Sequence, residues 1–403
     1  MKKTTMTLAG ALVLTLVGGQ GAQMMEPKAP GAPTTQRRAI TAGPAPIGPY
    51  SPAVAAGGLV YVSGMLGTGA DGQLVGPDVA SQTKRILDRL KEILEASGSS
   101  LAQTVSVSVF LKNPSDFDAL NATYREYFRE SPPTRTTVVT DLLNGALVEI
   151  SAIALPNGAA REALIPDGWM KSPRPYSYII RTADLVFLSG LISRKPADDT
   201  FVPGDIAAQS KTILDNATAL LKTAGVGLDQ VVQSRVFITD EAAFAAMNDT
   251  YRTYFPKEPP TRATVVTPLL GNDYLAEITL VATRGKKEVI GTPSAAVPLS
   301  SAIRAGHRVF LSGVLGNTDA NAGDVTAQTK EVMARISRTL TLAGLTFGDV
   351  ADSTVYLTDL SHFGAMNDVY RQSFTREPPA RATIGTKLVS RNALVEILMT
   401  AVR

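Results

Sequence analysis

The sequence predicts an α+β protein built from three tandem copies of one domain. A Pro-Pro-x-Arg motif occurs three times, and its arginines, Arg135, Arg262 and Arg381, are 127 and 119 residues apart. Within each copy, strand-like and helix-like segments follow one another in the order β-β-α-β-α-β-β. A repeat of this length is a whole domain rather than one unit of a solenoid.

Each predicted element has its own pattern, shown here for the first copy. Residues 54–64 predict two strands around a Gly-Gly turn. Residues 78–96 predict a helix, because apolar residues recur on one face and Gly98 ends it. Alternating small polar and apolar residues predict a strand over 104–111, and an aromatic stripe predicts a second helix over 116–128. Two closing strands are predicted over residues 134–142 and 146–155.

These elements predict a mixed, mostly antiparallel sheet with both helices on one face, an α+β layer. The other face of each sheet carries Val and Ile and must also be covered. Packing three such faces together would make the chain an intrachain pseudo-trimer. We therefore expect a monomer with internal pseudo-threefold symmetry.

The N-terminus is typical of an export signal. Lys2-Lys3 precede an apolar run over residues 8–17 and then small residues, which predicts cleavage, no stable membrane insertion, and a periplasmic or extracellular protein. An ordinary disordered leader is the alternative. The predicted segments are a signal peptide over 1–22, a flexible Pro/Ala-rich linker over 23–46, and repeats over 47–156, 172–283 and 293–403.

Composition excludes several kinds of chemistry. The chain has no Cys, so disulfides, thiolate catalysis and Cys-type zinc sites are excluded. The two histidines, His307 and His362, both lie in the third copy, so we expect no metal site, no histidine triad and no cofactor. The net charge is only +3 and the basic residues form no extended cluster, so no nucleic-acid partner is expected.

A glutamate lies inside a predicted strand of each copy, 14 or 15 residues after the arginine. A buried carboxylate is unfavourable unless it is paired or hydrogen-bonded. We expect its partner to be the arginine of the same copy, because antiparallel neighbours bring such residues together. A purely structural pair that sets strand register is the alternative. The three glutamates are Glu149, Glu277 and Glu396.

Five short blocks of the first copy recur in the other two. They are Gly48-Pro49-Tyr50-Ser51-Pro52-Ala53, Val60-Tyr61-Val62-Ser63-Gly64, Phe117-Asp118-Ala119-Leu120-Asn121-Ala122-Thr123-Tyr124, Pro132-Pro133-Thr134-Arg135 and Leu147-Val148-Glu149-Ile150. In this combination and order they resemble the RidA/YjgF family over residues 47–403. The resemblance implies a chorismate-mutase-like α+β fold and homotrimers with clefts at subunit boundaries. It also implies hydrolysis of enamines or imines such as 2-aminoacrylate to 2-oxo acids and ammonia.

The resemblance also implies roles for individual residues. Arg135, Arg262 and Arg381 would bind the carboxylate of a small imino acid in a bidentate fork. Glu149, Glu277 and Glu396 would hold the attacking water and assist proton transfer to the departing ammonia. The implied substrate-binding positions are Tyr50, Ser63, Gly64, Asn121, Tyr176, Ser189, Gly190, Asn248, Ser312, Gly313 and Asn367. The three asparagines could instead brace their helices.

The third copy departs from the pattern. It has Leu299 where the other two have a tyrosine, so we expect one weakened cleft. Placing that cleft on the third copy predicts that Arg381→Ala affects activity little, whereas Arg135→Ala or Arg262→Ala removes a large share. Two other functions stay open: a non-catalytic binder of small carboxylates, which needs the arginine but not the glutamate, and an endoribonuclease.

Overall fold

The computed structural model describes Met1 and residues 36–43 and 45–403. The predicted signal peptide beyond Met1 and most of the predicted linker over 23–46 lie outside the described residues. Within the described ranges, no helix is both long and apolar enough to cross a membrane.

The first repeat forms one sheet with two helices. Its strands are β1 (Arg38–Ile40), β2 (Ala53–Ala56), β3 (Leu59–Leu66), β4 (Thr104–Leu111), β5 (Thr134–Val139) and β6 (Val148–Ala154), and its helices are α1 (Val79–Ala96) and α2 (Phe117–Tyr127). The strand order is β1-β2-β3-β6-β4-β5. All neighbours are antiparallel except β4 and β5, which run parallel.

The second and third repeats have the same plan. The second contains β7 (Arg161–Leu164), β8 (Ile179–Thr182), β9 (Leu185–Leu188), β10 (Val231–Ile238), β11 (Thr261–Val266), β12 (Ala276–Thr283), α3 (Ile206–Thr223) and α4 (Phe244–Tyr254). The third contains β13 (Lys287–Ile290), β14 (Ala302–Ala305), β15 (Arg308–Leu311), β16 (Val314–Leu315), β17 (Val350–Leu357), β18 (Ala380–Gly385), β19 (Lys387–Leu388), β20 (Val395–Val402), α5 (Val325–Leu342) and α6 (Phe363–Tyr370). Their sheets run β7-β8-β9-β12-β10-β11 and β13-β14-β15-β20-β17-β18.

The predicted order β-β-α-β-α-β-β and the α+β class are confirmed. Each sheet also has an edge strand that the sequence analysis does not predict, namely β1, β7 and β13. These strands lie before or between the predicted repeats and pair antiparallel with β2, β8 and β14. They are three or four residues long, too short for a clear alternation of apolar and polar residues.

Both helices of a repeat cover one face of its sheet. On α1, the side chains of Ile86, Leu90 and Ile93 are fully buried against sheet residues such as Val107 and Val109. Equivalent clusters form under the helices of the second and third repeats. Each repeat therefore has its own apolar core.

The other face of each sheet is covered by the other repeats. One shared apolar cluster contains the equivalent residues Tyr61, Phe187 and Phe310, and a second contains Phe110, Phe237 and Tyr356. All six are buried, and burying an aromatic side chain of this size stabilises by roughly 1.5–3 kcal/mol. The expectation that the three sheets pack on one another is thus confirmed. Strand β19 even extends the sheet of the second repeat, beside β11.

A small polar cavity of about 50 Å³ lies among the three sheets and is lined by residues of all three repeats. Strands β4, β10 and β17 bring Ser108, Arg235 and Asp352 to it. Arg235 Nη1 donates to Ser108 Oγ at 3.0 Å. Burial raises the pKa of the Asp352 carboxyl to about 6, and the positive charge of Arg235 opposes that rise. The cavity therefore holds one cationic and one acidic side chain at positions where the first repeat has serines.

Candidate active site between the repeats

The repeated arginine of each domain is hydrogen-bonded to the Ser-Gly pair of the next domain. Each arginine lies near the start of the strand that runs parallel to its neighbour, β5, β11 or β18. Its backbone N–H donates to the hydroxyl of the following repeat's serine, and the third repeat returns to the first. The three bonds are Arg135 to Ser189 at 2.9 Å, Arg262 to Ser312 at 2.8 Å and Arg381 to Ser63 at 2.8 Å.

Each glutamate faces the arginine of the preceding repeat, not that of its own. Glu149 lines a cleft with Arg381, and Glu277 lines one with Arg135. The electrostatic partner of Glu396 is Arg262. The predicted pairing within a repeat is wrong because β4 lies between β5 and β6, and β10 and β17 separate the corresponding strands of the other repeats.

Three clefts result, and each is named here by its arginine. The Arg135 cleft contains Arg135, Tyr176, Ser189, Gly190 and Glu277; the Arg262 cleft contains Arg262, Leu299, Ser312, Gly313 and Glu396; the Arg381 cleft contains Arg381, Tyr50, Ser63, Gly64 and Glu149. The predicted arginine, glutamate, serine and glycine positions are therefore brought together, but every cleft is shared between two repeats.

The glycine of each Ser-Gly pair makes room for the carboxyl group. A Cβ atom placed on Gly64 would come within 1.9 Å of Glu149 Oε1. The same distance separates a Cβ on Gly190 from Glu277 Oε1, and a Cβ on Gly313 from Glu396 Oε1. Any other residue would displace the glutamate, so the glycine is required by close approach rather than by its backbone angles.

Burial changes the acidity of the three glutamates in the same direction. It raises the pKa of the Glu149 carboxyl to about 8, while a backbone contact with Thr383 and the charge of Arg381 oppose the rise. Burial likewise raises the pKa values of Glu277 and Glu396 to about 8. A carboxyl group with this pKa is mostly protonated at neutral pH and can both give and take a proton there.

The arginines are held by aromatic rings. Arg381 Cζ lies 4.8 Å from the ring centre of Tyr370, 5.2 Å from that of Tyr50 and 5.6 Å from that of Phe363. Among the described residues, no group hydrogen-bonds to the side-chain nitrogens of Arg381. A buried guanidinium held by ring faces keeps its fork of donors for a carboxylate ligand.

The helix asparagines are buried beside the arginines but do not all act alike. Asn248 Oδ1 accepts a bond from Arg262 Nη2 at 2.6 Å. The Oδ1 atoms of Asn121 and Asn367 have no hydrogen-bond partner in the described part of the chain. Asn248 therefore orients Arg262, a role that is neither a ligand contact nor a bond within its own helix.

Leu299 belongs to the Arg262 cleft. The next residue, Ser300, bonds through its N–H to the carbonyl of Pro260 at 3.2 Å and through its hydroxyl to that of Pro259 at 2.6 Å. The ring of Tyr50, by contrast, lies over Arg381. The expectation that Arg381 serves the weakened cleft is therefore wrong, because each cleft takes its tyrosine position from the repeat after the arginine.

Two arginines outside the repeated motifs also distinguish the clefts. Arg174 and Arg194 line the Arg135 cleft, which holds about 60 Å³. A larger cavity of about 340 Å³ adjoins the Arg381 cleft and is lined by Tyr50, Gly64 and Arg89 among others. The sequence signal for Arg174 was present, since Arg174-Pro175-Tyr176 stands where the first repeat has Gly48-Pro49-Tyr50.

Comparison with known proteins agrees with this architecture. The family model described as endoribonuclease L-PSP matches residues 40–156, 170–284 and 289–403. The chain belongs to this family, the RidA family, in three tandem copies. A RutC family protein from Pyrococcus abyssi (strain GE5 / Orsay) is 43% identical over 113 residues, covering 28% of this chain and 89% of that protein.

Two further comparisons concern a named enzyme and a solved structure. A 2-iminobutanoate/2-iminopropanoate deaminase of Capra hircus is 43% identical over 114 residues, covering 28% of this RidA family chain and 83% of that protein. The crystal structure of a chorismatase covers 74% of this chain and 93% of its own, with a TM-score of 0.50 and 14% identity. At that identity the likeness concerns the fold alone.

Proposed function

We propose that this RidA family protein hydrolyses 2-imino acids and their enamine tautomers to 2-oxo acids and ammonia in the clefts between its repeats. The observation that carries the proposal is the meeting, in each cleft, of a buried arginine from one repeat with a buried, protonatable glutamate from the next. The deaminase names of relatives from Capra hircus and Bos taurus support the same chemistry.

The arginine is proposed to hold the substrate carboxylate. In the Arg381 cleft, residue Arg381 is only 2% exposed, and its guanidinium group lies between aromatic rings. A bidentate pair with a carboxylate supplies the charge and the hydrogen bonds that this group lacks within the described residues. The imine carbon, adjacent to that carboxylate, would then lie on the side of Glu149.

The glutamate is proposed to move the protons. Water adds to the C=N carbon and loses one proton to the glutamate, the π electron pair moves to nitrogen, which receives a proton from the carboxyl group, and a carbinolamine forms. The carboxyl group gives a proton to the nitrogen and takes one from the new hydroxyl, so that the C–N bond breaks, ammonia leaves and the C=O bond forms. A pKa of about 8 keeps Glu149 available in both protonation states near neutral pH.

A coupled assay with enzymatically generated 2-aminoacrylate or 2-iminobutanoate tests this proposal. The triple variant Glu149→Gln, Glu277→Gln, Glu396→Gln should lose at least a hundredfold in turnover, within the usual range for removing a general acid–base group. Calorimetry should still show 2-oxobutanoate binding, because the arginines remain. Glu162→Gln is the control, since Glu162 pairs with Arg181 at the surface. Full imine hydrolysis by the triple variant would contradict the proposed hydrolase and favour the alternative, a non-catalytic binder of small carboxylates.

We also propose that the chain is a monomer. Each repeat already covers the inner sheet faces of the other two, as separate subunits of a homotrimer would. Light scattering should therefore give the mass of one chain, 42.5 kDa before any processing. A mass near three chains would contradict the proposal.

Export is proposed from the first 22 residues alone. Their order of Lys-Lys, apolar run and small residues is that of a cleavable signal. N-terminal sequencing of protein from native fractions should show a new terminus outside the cytoplasm. An intact Met1 in the cytosolic fraction would be the opposite result.

A further inference from the structure

The Arg135 cleft differs from the other two by two additional cationic side chains. Arg174 and Arg194 both line it, together with Arg135 and Glu277. By alignment on the Ser-Gly pair, Arg194 corresponds to Thr68 in the Arg381 cleft and to Asn317 in the Arg262 cleft. Neither counterpart has a cationic side chain at these two positions, and the additional cation beside the Arg381 cleft, Arg89, comes from α1 instead.

Arg174 occupies a defined position beside the clamping arginine. The carbonyl of Arg174 accepts from the N–H of Tyr176 at 2.8 Å, just as Gly48 accepts from Tyr50 at 2.9 Å. In the Arg381 cleft, a Cβ placed on Gly48 would be 2.8 Å from Arg381 Nη2. This backbone position thus lies against the guanidinium that is proposed to bind the substrate.

The two guanidinium groups face the same ring. Arg135 Cζ lies 5.6 Å, and Arg174 Cζ 5.7 Å, from the ring centre of Phe117, which places the two Cζ atoms at most about 11 Å apart. In a bidentate pair a carboxylate carbon lies roughly 4 Å from Cζ. A four- or five-carbon diacid, whose carboxyl carbons are roughly 4–5 Å apart, can therefore contact both groups.

The acidic groups near the cleft neutralise Arg174 only in part. Asp199 forms salt bridges with both arginines, a shorter one with Arg194 Nη1 at 2.8 Å and a longer one with Arg174 Nη1 at 3.4 Å. Asp199 is thus neutralised mainly by Arg194. Glu277, the other acidic group, is mostly protonated at neutral pH because burial raises its pKa to about 8. The side chain of Arg174 is 35% exposed, so a ligand can reach it.

We propose that the Arg135 cleft takes dicarboxylic 2-imino acids, with Arg135 on the carboxylate next to the imine and Arg174 on the distal carboxylate. This inference rests on the proposed imine hydrolysis and names a substrate class for one of its three clefts. The Arg381 cleft, with Gly48 and Thr68 at the two positions, serves monocarboxylic imino acids.

The test uses the full chain with only the Arg135 cleft active, that is, the variant Glu149→Gln, Glu396→Gln. Its kcat/KM is measured for 2-iminosuccinate or 2-iminoglutarate and for 2-iminobutanoate, each generated enzymatically. Adding Arg174→Gln should lower the ratio of the diacid value to the monoacid value at least tenfold, and Arg174→Lys should restore part of it. Arg181→Gln is the matched control and should leave the ratio unchanged, because Arg181 lies on β8, beside the edge strand β7, and pairs with Glu162.

A ratio that stays within twofold in Arg174→Gln, or an equal loss for both substrates, would overturn the inference. Calorimetry separates this failure from a failure of the proposed function. If no imine is hydrolysed, 2-oxoglutarate should still bind more tightly than 2-oxobutanoate, and Arg174→Gln should abolish that difference. If hydrolysis proceeds without any preference that depends on Arg174, only the diacid inference is wrong.

Discussion

The Arg381 and Arg262 clefts share one plan and differ at one aromatic position. Both have a buried arginine under a helix tyrosine, Tyr370 or Tyr251, at 4.8 Å. In both, burial raises the pKa of the glutamate to about 8. Each arginine also lies near a helix phenylalanine, Phe363 at 5.6 Å or Phe244 at 5.8 Å. Only the Arg381 cleft adds a third ring, that of Tyr50 at 5.2 Å, where the Arg262 cleft has Leu299.

The difference also concerns how each arginine is bound in the folded chain. Arg262 donates to Asn248, whereas the side-chain nitrogens of Arg381 have no partner among the described residues. One arginine is thus partly satisfied by a protein acceptor, and the other has all its side-chain donors free of acceptors within the described residues. The comparison indicates that the environment of the glutamate is constant while that of the arginine varies from cleft to cleft.

The largest effect is expected from removing Arg381, the proposed carboxylate-binding arginine of the Arg381 cleft. In the variant Glu277→Gln, Glu396→Gln, which leaves only the Arg381 cleft active, Arg381→Ala should lower kcat/KM about a hundredfold, since a lost charged hydrogen-bonding pair is worth about 3 kcal/mol. In the otherwise unchanged chain, Arg262→Ala should remove less activity than Arg381→Ala. The coupled assay measures both.

Arg371→Ala is the control for that experiment. Arg371 lies in the same repeat, but its side chain is 58% exposed and forms only a long surface salt bridge, at 3.9 Å, with Asp368. Equal losses for Arg262→Ala and Arg381→Ala would show that the two clefts contribute alike. That result would mean that having Tyr50 in one cleft and Leu299 in the other does not affect activity.

A smaller effect is expected from exchanging the aromatic position itself. With only the Arg381 cleft active, Tyr50→Leu should lower kcat/KM by roughly tenfold, as expected for a ligand polar group left without its partner at about 1–3 kcal/mol. With only the Arg262 cleft active, Leu299→Tyr should raise it. Tyr50→Phe separates the hydroxyl from the ring: retained activity in Phe would assign the effect to stacking.

The smallest effect should be the same in both clefts. Because the folded-state pKa values of Glu149 and Glu396 are about 8 instead of the ordinary 4.5, their protonation stabilises the fold fully below pH 4.5, and this stabilisation is lost as the pH rises towards 8 and above. Each pKa unit corresponds to about 1.4 kcal/mol. Thermal unfolding should therefore show a Tm several degrees lower at pH 8.5 than at pH 5.

Glu149→Gln and Glu396→Gln should each reduce that pH dependence by a similar amount. The surface variant Glu162→Gln should leave it unchanged. A pH dependence that survives in the triple Glu→Gln variant would mean that other groups, such as Asp352, dominate the acid–base stability.

Much of the fold followed from local patterns. The apolar stripe of α1, the strand alternation before Leu111 and the Gly57-Gly58 turn are properties of neighbouring residues, and each predicted its element correctly. The edge strands β1, β7 and β13 were missed because three or four residues carry too little periodicity. The Ser-Gly pairs, arginines and glutamates were found because they recur three times.

The partner of each glutamate could not be found in the same way. Sequence distance favoured the arginine of the same repeat, 14 or 15 residues away. The parallel pairing of β4 with β5 inserts a strand between them, and the resulting contact crosses from one repeat to the next. A pairing over such distances depends on how whole domains pack, which local spacing does not encode. For the same reason, Leu299 was assigned to the cleft of Arg381 instead of that of Arg262.

The polar cavity among the three sheets has a consequence for how such a chain can change. In an assembly of identical subunits, a residue at the position of Arg235 would appear three times, and three guanidinium groups around one small cavity would repel one another. Tandem duplication removes that restriction, because each copy mutates alone. Arg235 can then coexist with Ser108 and Asp352, and the order of the copies along the chain becomes part of what specifies their assembly.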